Sequence, residues 1–264
     1  MEVTTGFNQM AHKNWATRPA DQSFDTLRAL RESVHARRLI SRQADLSNKT
    51  LEVSAMDNNI IVHGDILPAS VNHWSLGQLA TEAGAPAGYM RKLPTNLAVD
   101  CLNHGIKVAK EKGIKLLSST TSEDGLNLRG ITSPSYGRIW DADVVDAVEN
   151  ILEKTGGEFF APKDWSGKVS GLYASDRDIF MFHINGGSLV DGGGERDQLH
   201  RGFFVWNSEV GSATLGIRTF AFRAVCGNLL VWSPSSVKTL KIRHTSGGPA
   251  RFVADAIPEL QSYV

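Results

Sequence analysis

The sequence predicts an α+β fold, a largely antiparallel sheet built from hairpins with several amphipathic helices packed on it, and three observations predict it. Apolar segments flank the turn-forming runs Asp57-Asn58-Asn59 and Glu123-Asp124-Gly125, the arrangement of a tight hairpin. Strand-like and helix-like segments follow one another without the regular alternation that a parallel βαβ sheet requires. The 25 glycines and 9 prolines among 264 residues break the chain into many short elements, which excludes a helical bundle. With 41% hydrophobic residues the chain can bury a full core, so a disordered or fibrous protein is excluded as well.

The elements follow in order. From Phe24 the residues Leu27, Leu30, Val34 and Ile40 recur at near-helical spacing, with Arg28, Arg31, Arg37, Arg38 and Arg42 on the other faces, a basic amphipathic helix. Leu51, Val53 and Ala55 alternate before the Asp57 turn, and Ile60, Ile61 and Val62 follow it, so a hairpin ends before Pro68. Ser75 is expected to cap a helix that stops at Gly84, and a second short helix runs through Met90 to Pro94. The spacing Ala80, Gly84, Met90 fits a helix-turn-helix, but Arg91 and Lys92 are the only charges on the second helix, so packing is its expected role. Thr95 is expected to cap a helix through Leu97, Leu102 and Ile106, with Lys107, Lys110, Lys112 and Lys115 near its negative end. Leu116 to Thr121 and Leu126 to Thr132 read as a hairpin. Val144, Val145, Val148, Ile151 and Leu152 define an acidic helix, whose Asp141, Asp143, Asp146, Glu149 and Glu153 are expected to form a solvated face. Val169 to Ala174 and Ile179 to Ile184 pair across Ser175 to Asp178. Gly186 to Gly194 make a polar loop. Gly202 to Asn207, Ala213 to Ile217, Leu229 to Trp232 and Leu240 to Ile242 read as strands, and Arg218 to Cys226 as a short buried helix.

No repeat, long linker or low-complexity tract interrupts the chain, so one α+β domain is expected over 23–247, with a loose arm at 1–22 and a tail at 248–264. No leader and no membrane-spanning apolar run is legible, which predicts a cytoplasmic protein. Cys101 and Cys226 are too few for a four-cysteine zinc site and read as reduced, buried thiols.

The known nucleotide and hydrolase signatures are absent: no G-x-x-x-x-G-K-S/T, no G-x-G-x-x-G after a strand, no G-x-S-x-G and no H-E-x-x-H. None of the eight histidines stands three or four residues from another, so no helix face presents a metal pair. The reading is therefore of a chain that needs neither cofactor nor metal.

Charge placement says more. Lys plus Arg equals Asp plus Glu at 28 each, yet no acid occurs between Glu209 and Asp255. Within that window fall Arg218, Arg223, Lys238, Lys241, Arg243 and Arg251, with His244 beside them, a local footprint for a polyanion. Lys241 and Arg243, two apart, can share one face of a strand, and Thr245 to Gly248 leave backbone N–H groups for phosphate oxygens. Phe203, Phe204, Trp206, Phe220, Phe222 and Trp232 lie near the window. Of these Phe204, Trp206, Phe220 and Phe222 are expected in the core, whereas Tyr136 and Trp140, flanking Arg138 beside turns, are the candidates to stack on bases.

The runs Trp74 to Leu79, Pro86 to Pro94, Tyr136-Gly137-Arg138, Asn207-Ser208-Glu209-Val210-Gly211, Cys226-Gly227-Asn228 and Arg243-His244-Thr245 together resemble the phage- and plasmid-like proteins of the domain of unknown function 932 family. The similarity runs roughly from Arg38 to Gly247. It implies a mobile-element protein acting around DNA replication, recombination or host interference. Two departures stand out: the family usually reads Cys-Thr-Asn-Gly where this chain has Cys226-Gly227-Asn228-Leu229, and members often carry a further helix after the His-Thr motif that the sequence does not suggest here.

These observations predict an ATP-independent single-stranded DNA-binding and strand-annealing protein acting as a homo-oligomer, with Arg218, Arg223, Lys238, Lys241, Arg243, His244, Tyr136 and Arg138 on the nucleic acid. Two alternatives differ in class. One is an enzyme acting on nucleic acid or a nucleotide, with His244 as general acid or base and Glu209, Arg218 and Arg243 near Asn207 and Ser208. The other is an inhibitor that binds a host defence protein.

Overall fold

The computed structural model describes residues 19–64, 68–121, 125–156, 158–162, 169, 171–191, 198–223, 230–232 and 239–264, with backbone alone for 20, 187–191, 198–200, 221–223 and 230–232. The chain divides into two compact units: Ala36–Tyr136, and a second made of Gly137–Val264 with the residues up to His35. Both carry helices and a largely antiparallel sheet, so the α+β class read from the sequence holds. Among the described residues no helix is long and apolar enough to cross a membrane.

Helix α1 (Leu27–Leu39) leads to a sheet in the 36–136 unit built from β1 (Ser41–Ser47), β2 (Glu52–Met56), β3 (Asn59–His63), β4 (Ala69–Val71), β5 (Gly113–Thr120) and β6 (Leu126–Thr132). Its order is β1-β5-β6-β4-β3-β2, antiparallel except between β4 and β6. The expected hairpin is β2–β3, whose two turn residues Asp57 and Asn58 have φ of 49° and 63°, the left-handed pair that a two-residue turn matching strand twist needs. Helices α2 (His73–Glu82), α3 (Ala87–Met90) and α4 (Thr95–Val108) bury Leu79, Met90, Leu102 and Ile106 against Val53, Val62, Leu116 and Leu128. The side chain of Asn103 accepts from the Val53 amide at 2.9 Å and donates to the Val53 carbonyl at 2.7 Å, which satisfies part of the β2 edge.

Two predicted caps are corrected here. Asn72, not Ser75, is the N-cap of α2; Ser75 is the third residue of a reciprocal capping box with it. Pro94 precedes α4, and Thr95 Oγ1 donates instead to the Asn58 carbonyl at 3.1 Å. Lys49 Nζ reaches the last carbonyls of α4, those of Ile106 and Lys107, at 2.8 and 2.7 Å, where a cation meets the negative helix end. Helix α3 is a single turn with Met90 buried, too short to read a groove.

The other unit packs α5 (Asp141–Glu153) and part of α1 on a sheet of β7 (Phe159–Phe160), β8 (Leu172–Ala174), β9 (Ile179–Asp191), β10 (Gln198–Asn207), β11 (Leu215–Arg223), β12 (Leu230–Trp232) and β13 (Thr239–Ile242). Strand β10 pairs with β9 and β11; β11 carries β12 and β13 on its other side, and β9 carries β7 and β8. Alternation along the strands builds two cores. Phe203, Val205, Met181, Ile217 and Ile242 face Leu30, Val34, Val145 and Val148, while Phe204, Trp206, Phe180, Phe182, Phe220 and Tyr173 form an aromatic cluster on the opposite face. Phe204 stacks on Phe180 with ring centroids 5.1 Å apart. Phe204, Trp206 and Phe220 are thus buried as expected; the side chain of Phe222 lies outside the described set.

Three further expectations change. Residues Arg218 to Arg223 are not helical but continue β11 as a strand, because they belong to a sheet apolar on both faces, whose strands lose the polar–apolar alternation; 224–226 lie outside the described residues. Residues beyond the His-Thr motif are helical, through α6 (Gly248–Arg251), one π turn (Phe252–Ala256) and α7 (Ile257–Tyr263). Phe252, Ala256 and Leu260, four apart, are buried in the core of this unit, so the helix expected to be missing is present. Finally, the acids of α5 are not a uniformly solvated face. Asp141 is buried, and Arg31 Nε lies 2.6 Å from Asp146 and 3.0 Å from Glu149. Arg28 pairs with Glu32, so the basic face of α1 is partly neutralised.

Candidate functional site

Helix α5 begins without a side-chain cap of its own. Its first amide is taken by a residue 68 positions away: Glu209 Oε1 accepts from the Asp141 N–H at 2.9 Å. A carboxylate there satisfies an orphan donor and meets the positive helix end. The Arg138 guanidinium donates to the Glu209 carbonyl and lies 5.8 Å from the centroid of the Trp140 ring. Asn207, at the end of β10, donates from Nδ2 to Asp141 Oδ1 at 2.7 Å and to the Ile139 carbonyl at 2.9 Å. Ser208 Oγ donates to the Arg177 carbonyl at 2.7 Å. Exposure settles what this arrangement does: Glu209 and Asp141 are each 1% exposed and Arg138 is 7% exposed. The network fixes a helix start to the end of β10, and its buried charged groups are met by backbone groups and the Asn207 amide.

The His-Thr motif joins it. The Gly137 amide donates to the His244 carbonyl at 3.2 Å, and a Cβ on Gly137 would overlap the Thr245 carbonyl. Burial pushes the His244 imidazole down to about 4, with Arg138 lowering it further and backbone hydrogen bonds from Gly137 and Ala213 pulling the other way. Gly137→Ala is expected to cost about 2 to 3 kcal/mol of stability, because the clashing neighbour is backbone and cannot rotate away; a denaturant midpoint within error of the parent would show that the loop yields.

The predicted nucleic-acid residues separate by placement. Lys241, in β13, and Arg243, just after it, are exposed on either side of buried Ile242. The β11–β13 register sets Thr239 opposite Arg218 and Lys241 opposite Gly216, so Arg218 and Lys241 are diagonal neighbours on one sheet face. Partial burial lowers the pKa of the Arg218 guanidinium. Arg138 is buried and His244 half-buried in the motif network rather than laid on a surface, Arg138 donating to the Glu209 carbonyl and the His244 carbonyl accepting from the Gly137 amide. Tyr136 is half-buried and belongs to the 36–136 unit. Arg223 lies in β11 opposite Leu199 and Leu230, with its side chain outside the described set, and Lys238 and Cys226 lie outside the described residues, as does the loop at 192–194. Cys101 is a free, half-buried thiol. The sequence named Asn207 in a motif and Asp141 as a solvated acid but did not join them to each other or to a helix start; the only local signal for Asp141 was an acid at the first position of a helix lacking a capping side chain before it.

Among the described residues no group of three or more His, Cys, Asp or Glu side chains is placed to hold a metal ion. What remains is a protein of two α+β units, one of which ties three separate sequence motifs around a single helix start and carries an exposed basic strand beside them. The chain belongs to the family described as Domain of unknown function (DUF932), whose sequence profile matches residues 129–262. That match begins within β6 and runs through the C-terminal helix, so the motifs at 74–94 lie outside it. No curated protein and no protein of solved structure matches the chain.

Proposed function

We propose that this chain is an ATP-independent single-stranded DNA-binding protein of a mobile element, cytoplasmic and homo-oligomeric, and that β13 is where the strand lies. The observation that carries the reading is the alternation Lys241, Ile242, Arg243: one apolar residue anchors the strand in the core and two cations stand outward. Neither Lys241 nor Arg243 makes an ion pair with a described residue, so both charges are available to phosphates. Arg218 on the same sheet face lengthens the row to three cations, enough for consecutive phosphates of a single strand. Such contacts position a backbone without reading its sequence, and a footprint this small requires several copies side by side to cover a long strand. Annealing is the activity that backbone-held strands with free bases would support.

Replacing Lys241 and Arg243 together by alanine is expected to weaken binding of a labelled single strand about tenfold or more in a gel-shift titration, while stability changes by less than about 1 kcal/mol, since exposed charges contribute little to folding. Equal affinity in parent and double variant would remove β13 from the interface. Light scattering with and without the strand tests the oligomer.

A further inference from the structure

One buried side chain in the 137–264 unit has no part in the motif network. His183, in the middle of β9, is 2% exposed, and neither of its ring nitrogens has a hydrogen-bond partner among the described residues. Its ring stacks on Phe203 with centroids 5.2 Å apart, which fixes its plane. Leaving two polar atoms of one buried ring unmatched is costly. The ring does, however, line a cleft of about 730 Å³, within the size range of small-molecule sites.

The cleft is graded. Its walls are apolar, formed by Leu27, Leu152, Phe159 and Leu172, and Phe160 stands near them with half its surface exposed. Three carboxylates, Asp25, Glu149 and Glu153, complete the lining. Glu149 is already paired with Arg31 at 3.0 Å. Asp25 and Glu153 are exposed, and neither makes an ion pair with a described residue. Arg31 acts on Glu149 and Glu153, so among the described residues three carboxylates share one guanidinium and the exposed end of the cleft carries net negative charge, with apolar surface and the buried, unmatched His183 ring completing it. Burial pushes the His183 imidazole down to about 3, so the ring is neutral at physiological pH and offers one N–H donor and one acceptor nitrogen.

We propose that this cleft binds a small amphiphilic cation: a molecule with an apolar or aromatic body, an amine at the end that meets Asp25 and Glu153, and an uncharged hydrogen-bonding group at the end that meets His183. The acids select the charge and the apolar walls supply most of the contact area. His183 selects against bodies that end in bare hydrocarbon, because such a body would leave its nitrogens unmatched. An anionic molecule of the same size would place its charge beside the Asp25 and Glu153 carboxylates.

Three fluorescent probes that share one ring system and differ in charge test this on the full chain: dansylcadaverine, which carries an amine, dansylamide, which is neutral, and dansylglycine, which carries a carboxylate. Fluorescence titration is expected to show the amine probe binding about tenfold tighter than the neutral one and tighter still than the acid. In the double variant Asp25→Asn, Glu153→Gln, both exposed positions that the fold tolerates, the amine and neutral probes are expected to bind within about twofold of each other. His183→Phe, which keeps a ring without hydrogen-bonding atoms, is expected to weaken all three probes several-fold. Any of three results overturns the proposal: no binding of the amine probe at millimolar concentration, an acid probe that binds as tightly as the amine, or an amine preference that survives in the Asp25→Asn, Glu153→Gln variant. That variant lies on the surface and keeps the test decisive even where His183→Phe fails to fold.

Discussion

Replacing Glu209 by alanine is expected to destabilise the protein by about 3 to 5 kcal/mol, the cost of breaking a buried charged network by removing one partner. The side chain is 1% exposed and its Oε1 takes the Asp141 amide at 2.9 Å. Without it the first turn of α5 loses its cap: the Asp141 amide is left buried without its acceptor, and the negative charge that meets the positive helix end is removed. A loss of this size is a large part of the total stability of an ordinary domain. Glu209→Gln keeps an acceptor oxygen and removes only the charge, so it is expected to lose less. Chemical denaturation followed by circular dichroism measures both, and an alanine variant within about 1 kcal/mol of the parent would mean that the network is peripheral to folding.

Mild acid is expected to destabilise the protein strongly, through two imidazoles that the fold keeps neutral. Burial holds His183 down to about 3 and His244 down to about 4. In the unfolded chain both protonate near pH 6.5, whereas the folded state stays unprotonated until each lower value is reached. Their contribution is therefore complete above about pH 6.5 and is lost as the pH falls from there, at about 1.4 kcal/mol per pH unit for each ring. Roughly 5 kcal/mol is expected to be gone by about pH 4.5. Asp146 acts lower down: partial burial works to raise its pKa, but hydrogen bonds and charge from His35 and Arg31 outweigh that and hold it below the usual carboxylate range. Its contribution is present above that range and is lost only as the pH drops through the lowered value. Stability measured across this pH range separates the groups, because His183→Phe is expected to halve the slope above about pH 4.5 while Asp146→Asn leaves it unchanged. A parent protein equally stable at both ends of the range would contradict the burial of the two rings.

What the sequence made legible follows from where each element's information lies. The β2–β3 hairpin was readable because Asp57 and Asn58 carry the turn and the apolar residues beside them alternate, all within a dozen positions. Helix α5 was readable from Val144, Val145, Val148, Ile151 and Leu152, which lie on one helix face. By contrast β1, Ser41–Ser47, is mostly polar, and its strand character comes from pairing with β5 from Ser41 opposite Ser119 to Ser47 opposite Gly113, a partner some seventy residues away in sequence. Strand β4 has three residues and nothing local to mark it. Strand β11 was misread past Ile217 because both faces of its sheet are apolar, which removes the period of two that identifies a strand.

The candidate sites divide in the same way. That Lys241 and Arg243 share a face is a property of neighbouring residues, and it was legible. The bond between Glu209 and Asp141 spans 68 positions, and the one local mark of Asp141, its place at the first position of a helix without a capping side chain, does not point to its partner. Nothing local singles out His183 either: its two unmatched nitrogens become informative only once the sheet has placed them at the base of a cleft. The motif residues Arg138, Asn207 and Glu209 prove to be the ones that tie a helix start to the end of β10, while Lys241 and Arg243 beside them stand exposed.

The salt dependence of single-strand binding tests the central claim most directly. Each phosphate contact releases counterions, so the logarithm of the affinity is expected to fall linearly with that of the salt concentration, at about 0.7 per phosphate neutralised. Fluorescence anisotropy with a labelled, unstructured oligonucleotide is expected to give a slope near −2 for the parent and a slope shallower by about 1.4 for the Lys241→Ala, Arg243→Ala variant. A salt-independent affinity, or a slope identical in parent and variant, would show that β13 does not hold a phosphate backbone.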